Sequence, residues 1–121
     1  MLSSCRVLVV EDEPAVAEHI RDILTEAEGV VVGPAASVSD AKKLVADGAI
    51  DAAILDVNLS DGAVTPVLEA LMARGVPAVV YSGGEVPPSM RKRHPNLIAL
   101  SKPVRPARLI AELRRVMGHL P

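Results

Sequence analysis

The sequence predicts an α/β fold in which five strands alternate with five helices around a parallel sheet. Three observations carry that reading. Short continuous runs of Val, Leu, Ile and Ala recur along the chain, each stopped by turn residues, as in strands covered on both faces. Between them lie segments whose apolar residues recur at helical spacing, several opened by proline or closed by glycine. The connections are short, as they are between consecutive βα units.

Each element follows from its residues. Arg6-Val7-Leu8-Val9-Val10 is the first strand, ending in Glu11-Asp12-Glu13-Pro14. Proline belongs in the first turn of a helix, and acidic residues there suit the helix dipole, so Glu13 reads as a first-turn residue. The first helix carries Val16, Ile20, Ile23, Leu24 and Ala27 on one face and ends at Gly29. Val30 to Val32 is a short second strand, stopped by Gly33-Pro34. Ser37 or Ser39 caps the second helix, with Ala41, Leu44 and Val45 inward and Gly48 at its end. Ala52 to Leu55 is the third strand, and Asp61 before Gly62 reads as a turn residue. Thr65-Pro66 reads as a cap and first position for a third helix, with Val67, Leu68, Leu71 and Met72 facing the core and Gly75 as terminator. Pro77 to Tyr81 is the fourth strand. Val86 to Pro95, interrupted by prolines, holds at best a short fourth helix. Leu97 to Leu100 is the fifth strand, and Pro106 opens a fifth helix with a stripe of Leu109, Ile110, Leu113, Val116 and Met117.

Composition narrows the function. The 121 residues fit one domain, expected to span residues 1–121 with no output domain. Half the residues are hydrophobic, yet there is one Tyr and no Phe or Trp, so stacking on aromatic platforms is not how the chain would hold a nucleic acid. A formal net charge of −2 argues against a dedicated polyanion binder. The single Cys5 cannot form an internal disulfide and reads as a buried thiol in a reducing, cytoplasmic setting. No run has the length of a membrane span. His19, His94 and His119 lack the paired spacing of a zinc site. The run Arg91-Lys92-Arg93 reads as a solvated face, and Tyr81 as a packing residue, with a switch role as its alternative.

The chemistry lies where strands end. The first strand ends in Glu11 and Asp12, the third in Asp56, the fourth in Ser82 and the fifth in Lys102. A parallel sheet puts these ends on one edge, where open α/β folds bind ligands. In the flavodoxin-like order 2-1-3-4-5 the first and third strands are neighbours, about 4.8 Å apart. Asp12 and Asp56 would then repel unless a cation intervened. Mg²⁺ suits such a site: it takes one or two carboxylates and binds phosphate oxygens. With Lys102 and the Ser82 hydroxyl to hold the other oxygens, the set matches phosphoryl transfer to Asp56 as nucleophile.

These motifs, Val9-Val10-Glu11-Asp12-Glu13-Pro14, Leu55-Asp56-Val57-Asn58-Leu59 with Gly62, Tyr81-Ser82-Gly83 and Lys102-Pro103, resemble the receiver domain of two-component response regulators over nearly the whole chain, as a stand-alone receiver or a piece of a longer regulator or hybrid kinase. The resemblance implies that Glu11 and Asp12 are the acidic pair, with Asp12 the more direct Mg²⁺ ligand. It further implies that Asp56 is both phosphoacceptor and metal ligand, and that the Asn58 carbonyl completes the metal site. Ser82 is then the hydroxyl of the switch, and Lys102 the essential lysine before a cis proline. The implied partners are a sensor histidine kinase or histidine phosphotransfer protein and an unknown downstream protein, not nucleic acid or membrane. The surface of helix four, strand five and helix five would be the output. Two positions depart from the family: Ala99 stands where receivers usually carry an aromatic switch residue, and Val104 where Phe is frequent. With Ala99, the segment from Ser82 to Arg93 is expected to respond most. Two other classes compete. A non-phosphorylated pseudo-receiver is disfavoured by the intact Glu11, Asp12, Asp56, Ser82 and Lys102. An aspartate-nucleophile phosphatase would need an acid at Asn58 in Asp56-Val57-Asn58-Leu59-Ser60 and an acidic pair late in the chain.

Overall fold

The apolar runs become β1 (Arg6–Val10), β2 (Val30–Ala35), β3 (Ala52–Asp56), β4 (Ala78–Ser82) and β5 (Ile98–Ser101). A computed structural model describes residues 2–59 and 61–118; Ser60 and His119 lie outside the described residues. The strands form one parallel sheet in the order β2-β1-β3-β4-β5. The helices are α1 (Pro14–Glu26), α2 (Val38–Asp47), α3 (Thr65–Ala73), α4 (Pro88–Arg93) and α5 (Pro106–Val116). No described helix is long and apolar enough to cross a membrane.

Strand residues alternate between two cores, as a period of two requires. Leu8, Val10, Ala53, Leu55 and Val80 pack with Ala41 and Val45 of α2, Val67, Leu68 and Leu71 of α3, and Met90 of α4. Val7, Val9, Ala52, Ile54, Val79, Tyr81 and Leu100 pack with Ile20, Ile23 and Leu24 of α1 and Leu109 and Leu113 of α5. With so few aromatics, stability rests on many aliphatic side chains, each worth about 1.5–3 kcal/mol when fully buried.

The structure corrects several local expectations. β2 does not stop at Gly33-Pro34 but continues to Ala35, whose carbonyl accepts from the Glu11 amide at 2.9 Å. Proline is tolerated because β2 is an edge strand, and Gly33 takes φ +96° where the β1–β2 register shifts. α1 ends at Glu26, and the left-handed residue is Glu28 (φ +66°), not Gly29. Space is tight at Gly29: a Cβ there would lie 2.9 Å from Leu2 Cδ1 and 3.2 Å from the Leu24 carbonyl oxygen, so Leu2 would have to shift. Thr65 is the first residue of α3, not its cap; Val64 holds the cap position without a side-chain bond. Met72 is 51% exposed rather than facing the core. Ser37, not Ser39, caps α2 by accepting from the Asp40 amide. Asp61 is more than a turn residue: its carboxylate accepts from the Val38 and Ser39 amides at 2.8 and 3.3 Å, capping α2 from outside. Between β3 and α3 a small antiparallel ladder pairs Asn58 with Ala63 and Leu59 with Gly62, which the sequence reading did not foresee.

Candidate functional site

Side-chain alternation builds the site. Glu11 continues the parity of Val7 and Val9, Asp56 that of Ala52 and Ile54, Tyr81 that of Val79, and Lys102 that of Ile98 and Leu100. Register supplies the depth, because Val10 is level with Leu55 and Asp56 with Tyr81. The four polar side chains therefore meet above the core that α1 and α5 cover. Lys102 Nζ lies 3.0 Å from Glu11 Oε1 and 3.5 Å from Asp56 Oδ2. One carboxylate oxygen each of Glu11, Asp12 and Asp56 lies within 4.8 Å of the others. The Tyr81 hydroxyl donates to Glu11 Oε1, and the Glu13 amide donates to Glu11 Oε2 at 3.0 Å. Lys102 Nζ sits 4.8 Å from the centre of the Tyr81 ring, a cation–π arrangement. The Lys102–Pro103 peptide is cis, as the resemblance implied.

Electrostatics separates the two buried carboxylates. Burial pushes the Asp56 carboxyl up to about 6, neighbouring Glu11 adds to this, and Lys102 only partly opposes it. Burial would raise Glu11 as well, but bonds from Tyr81, the Glu13 amide and Lys102 outweigh it and hold Glu11 below its ordinary value. A proton entering the pair thus goes to Asp56. Burial works against the charged Lys102, yet Glu11 and Asp56 overcome it and raise its pKa. Burial and Glu11 together push the Tyr81 phenol far above its usual range, so it stays a hydrogen-bond donor.

Of the residues singled out from sequence, Glu11, Asp12, Asp56 and Lys102 come together. The Asn58 backbone stands two residues past Asp56, in the short ladder. Ser82 has the parity of Val80, so it belongs to the other face of the sheet; its Oγ accepts from the Gly84 amide at 3.0 Å. Ala99 packs against that same face. Tyr81, read from sequence as a packing residue with a switch role as its alternative, proves to be both buried and bonded to the site, a contact with Glu11 that the sequence reading did not name. Its signal was the count from Val79, which gives it the parity of Asp56 and Lys102.

The chain matches the response regulator receiver domain family over residues 7–114. It belongs to that family. The receiver is similar to the solution structure of SdrG from Sphingomonas melonis Fr1, with 39% identity, 98% of this chain and 99% of that chain covered, and a TM-score of 0.81. It is also similar to the BeF3-activated conformation of SdrG from Pseudomonas melonis Fr1, with 38% identity, coverage of 99% and 100%, and a TM-score of 0.77. The receiver domain of the sensor histidine kinase PA1611 from Pseudomonas aeruginosa PAO1, which has a magnesium ion in its active-site cleft, shares the fold at 21% identity, coverage of 95% and 98%, and a TM-score of 0.81. Comparison with curated proteins gave no match. The receiver is thus a signalling domain of the two-component class.

Proposed function

We propose that the receiver is a cytoplasmic phosphoacceptor, and that Asp56 takes a phosphoryl group from a phosphohistidine on a sensor histidine kinase or histidine phosphotransfer protein. The observation that carries this reading is the meeting of Asp56 with two further carboxylates and one ammonium at the strand ends. Three carboxylates within 4.8 Å form an all-oxygen donor set, which fits a hard divalent cation such as Mg²⁺. Glu11, Asp12 and Asp56 would hold it, with the Asn58 carbonyl. Bound there, Mg²⁺ supplies charge neutralisation for a phosphoryl group.

The protein's own groups do the rest. Asp56, ionised above pH about 6, is the nucleophile. Its oxygen attacks phosphorus, the phosphorus–nitrogen bond of the donor breaks, the imidazole leaves with the electron pair, and an acyl phosphate remains on Asp56. Lys102, now shared between Glu11 and Asp56, turns to the phosphoryl oxygens. The Ser82 hydroxyl, which accepts from the Gly84 amide and keeps its proton free to donate, turns to the phosphoryl group and draws that amide with it. That movement alters the loop from Ser82 to Arg93 and the surface of α4, β5 and α5, which binds a downstream protein. That SdrG, 38% identical, has a BeF3-activated conformation supports activation at the phosphoacceptor site.

The test is a mass spectrum after incubation with acetyl phosphate. We expect one added phosphoryl group in the presence of Mg²⁺, none with a chelator, and none in Asp56→Asn. A label that persists in Asp56→Asn, or forms equally with chelator, rejects the assignment.

A further inference from the structure

We propose that Tyr81 is a positioning residue that competes with a divalent cation for Glu11; this rests on reading the acidic cluster as the cation site of a phosphoacceptor. Tyr81 is 1% exposed and is the only aromatic residue in the chain. Its hydroxyl donates to Glu11 Oε1, which also receives Lys102 at 3.0 Å. Glu11 Oε2 receives the Glu13 amide. Both oxygens of Glu11 are thus engaged by donors of the protein itself. Oε1 accepts from two side chains and Oε2 from one amide, so a cation that takes Oε1 must displace Tyr81 or Lys102. Lys102 is also tied to Asp56 at 3.5 Å, which leaves the Tyr81 hydroxyl as the donor to turn away.

Room for that turn exists. A hollow of about 380 Å³, bordered by Val16, His19 and Ile20 of α1 and by Pro103 and Val104, opens beside the Tyr81 ring. The ring also underlies Lys102, so a change at the hydroxyl is felt by the ammonium that the phosphoryl group requires. Tyr81 therefore couples the state of Glu11 to the seat of Lys102 and to the α1 side of the sheet. This aromatic works on the face opposite Ala99, where none is available.

Tyr81 supplies its own assay. With one Tyr and no Trp, the intrinsic emission of the chain reports this side chain alone, and a carboxylate accepting from a phenol quenches it. At pH 8, where Asp56 is ionised, titration of the whole chain with MgCl₂ is expected to raise the emission, with a midpoint equal to the Mg²⁺ dissociation constant from calorimetry. Glu11→Gln starts at the high level. Tyr81→Phe, which deletes only the hydroxyl, is expected to bind Mg²⁺ about tenfold tighter, the factor for releasing one hydrogen bond to a charged group. Emission of the wild type that stays constant at calorimetrically saturating Mg²⁺, absence of Mg²⁺ binding, or wild-type affinity in Tyr81→Phe would each overturn the proposal. The emission readout needs no variant, so poor folding of one cannot shield the idea. Failure of acetyl phosphate to label Asp56 while these Mg²⁺ results hold would remove the phosphoacceptor reading and leave the competition at Glu11 standing.

Discussion

Asp56→Asn should make the metal-free protein more stable, not less. The folded protein holds the Asp56 carboxyl at about 6, against 3.8 for the free group, because it is buried beside Glu11. The shift is about two units, and at about 1.4 kcal/mol per unit the ionised form costs the fold up to about 3 kcal/mol. Part of the repulsion is shared with Glu11, so we take about 2 kcal/mol. For a chain of this length that is on the order of 6–10 °C in Tm. The sign follows from proton counting. Between 3.8 and about 6 the folded state binds more protons than the unfolded state, so stability falls as pH rises through that window. The wild type bears the full cost at pH 8 and almost none at pH 4, and Asn, which has no charge to bury, bears it at neither. Thermal melts of both proteins in EDTA at pH 8, 6 and 4 should show the variant ahead at pH 8 and the gap closing on acidification. Saturating Mg²⁺ should also narrow it, since only the wild type keeps all three carboxylates. A variant no more stable at pH 8, or a gap indifferent to pH, would refute the claim that Asp56 is held ionised against its surroundings.

Two further outcomes follow from single side chains. Lys102→Met removes the ammonium that faces Glu11 and Asp56 at 3.0 and 3.5 Å; it should fold, lose phosphorylation-dependent responses, and move the midpoint of Asp56 titration by carboxyl NMR above that of the wild type, whereas an unmoved midpoint would take Lys102 out of the electrostatic balance. Asp61→Ala removes the acceptor for the Val38 and Ser39 amides; hydrogen exchange should quicken at those two amides with Mg²⁺ affinity unchanged, and unaltered exchange would deny Asp61 its capping role.

Much of the architecture was legible because it depends on local rules. Uninterrupted aliphatic runs located all five strands to within a few residues, and proline in the first helical turn located α1, α3 and α5. The misses have physical causes. Gly33-Pro34 reads as a stop in isolation, but only the neighbouring strand shows that Pro34 lies at an edge where its missing donor is not needed. Met72 fits a helical stripe, yet the stripe is wider than the core beneath α3. Asp61 reaches across more than twenty residues to α2, a partner that no local pattern names. The convergence of Glu11, Asp12, Asp56 and Lys102 was legible from strand ends alone, but that count gives height along the sheet and not the face.

Face is what separates the residues of the site into two groups. Glu11, Asp56, Tyr81 and Lys102 share the parity of the core beneath α1 and α5, while Ser82 and Ala99 share that of the core beneath α2, α3 and α4. A receiver with a large aromatic at position 99 can answer a rotating hydroxyl at position 82 on the second face. This chain offers only a methyl group there, and its one aromatic stands on the first face, bonded to Glu11. Under the proposed function, side-chain rearrangement at Asp56 would be directed through Tyr81 and Lys102 toward α1 and Val104, and on the second face it would be left to the backbone of the loop after β4. There Gly83 and Gly84 have nothing within 4 Å of the Cβ they lack, so neighbouring side chains do not oppose a change in their course.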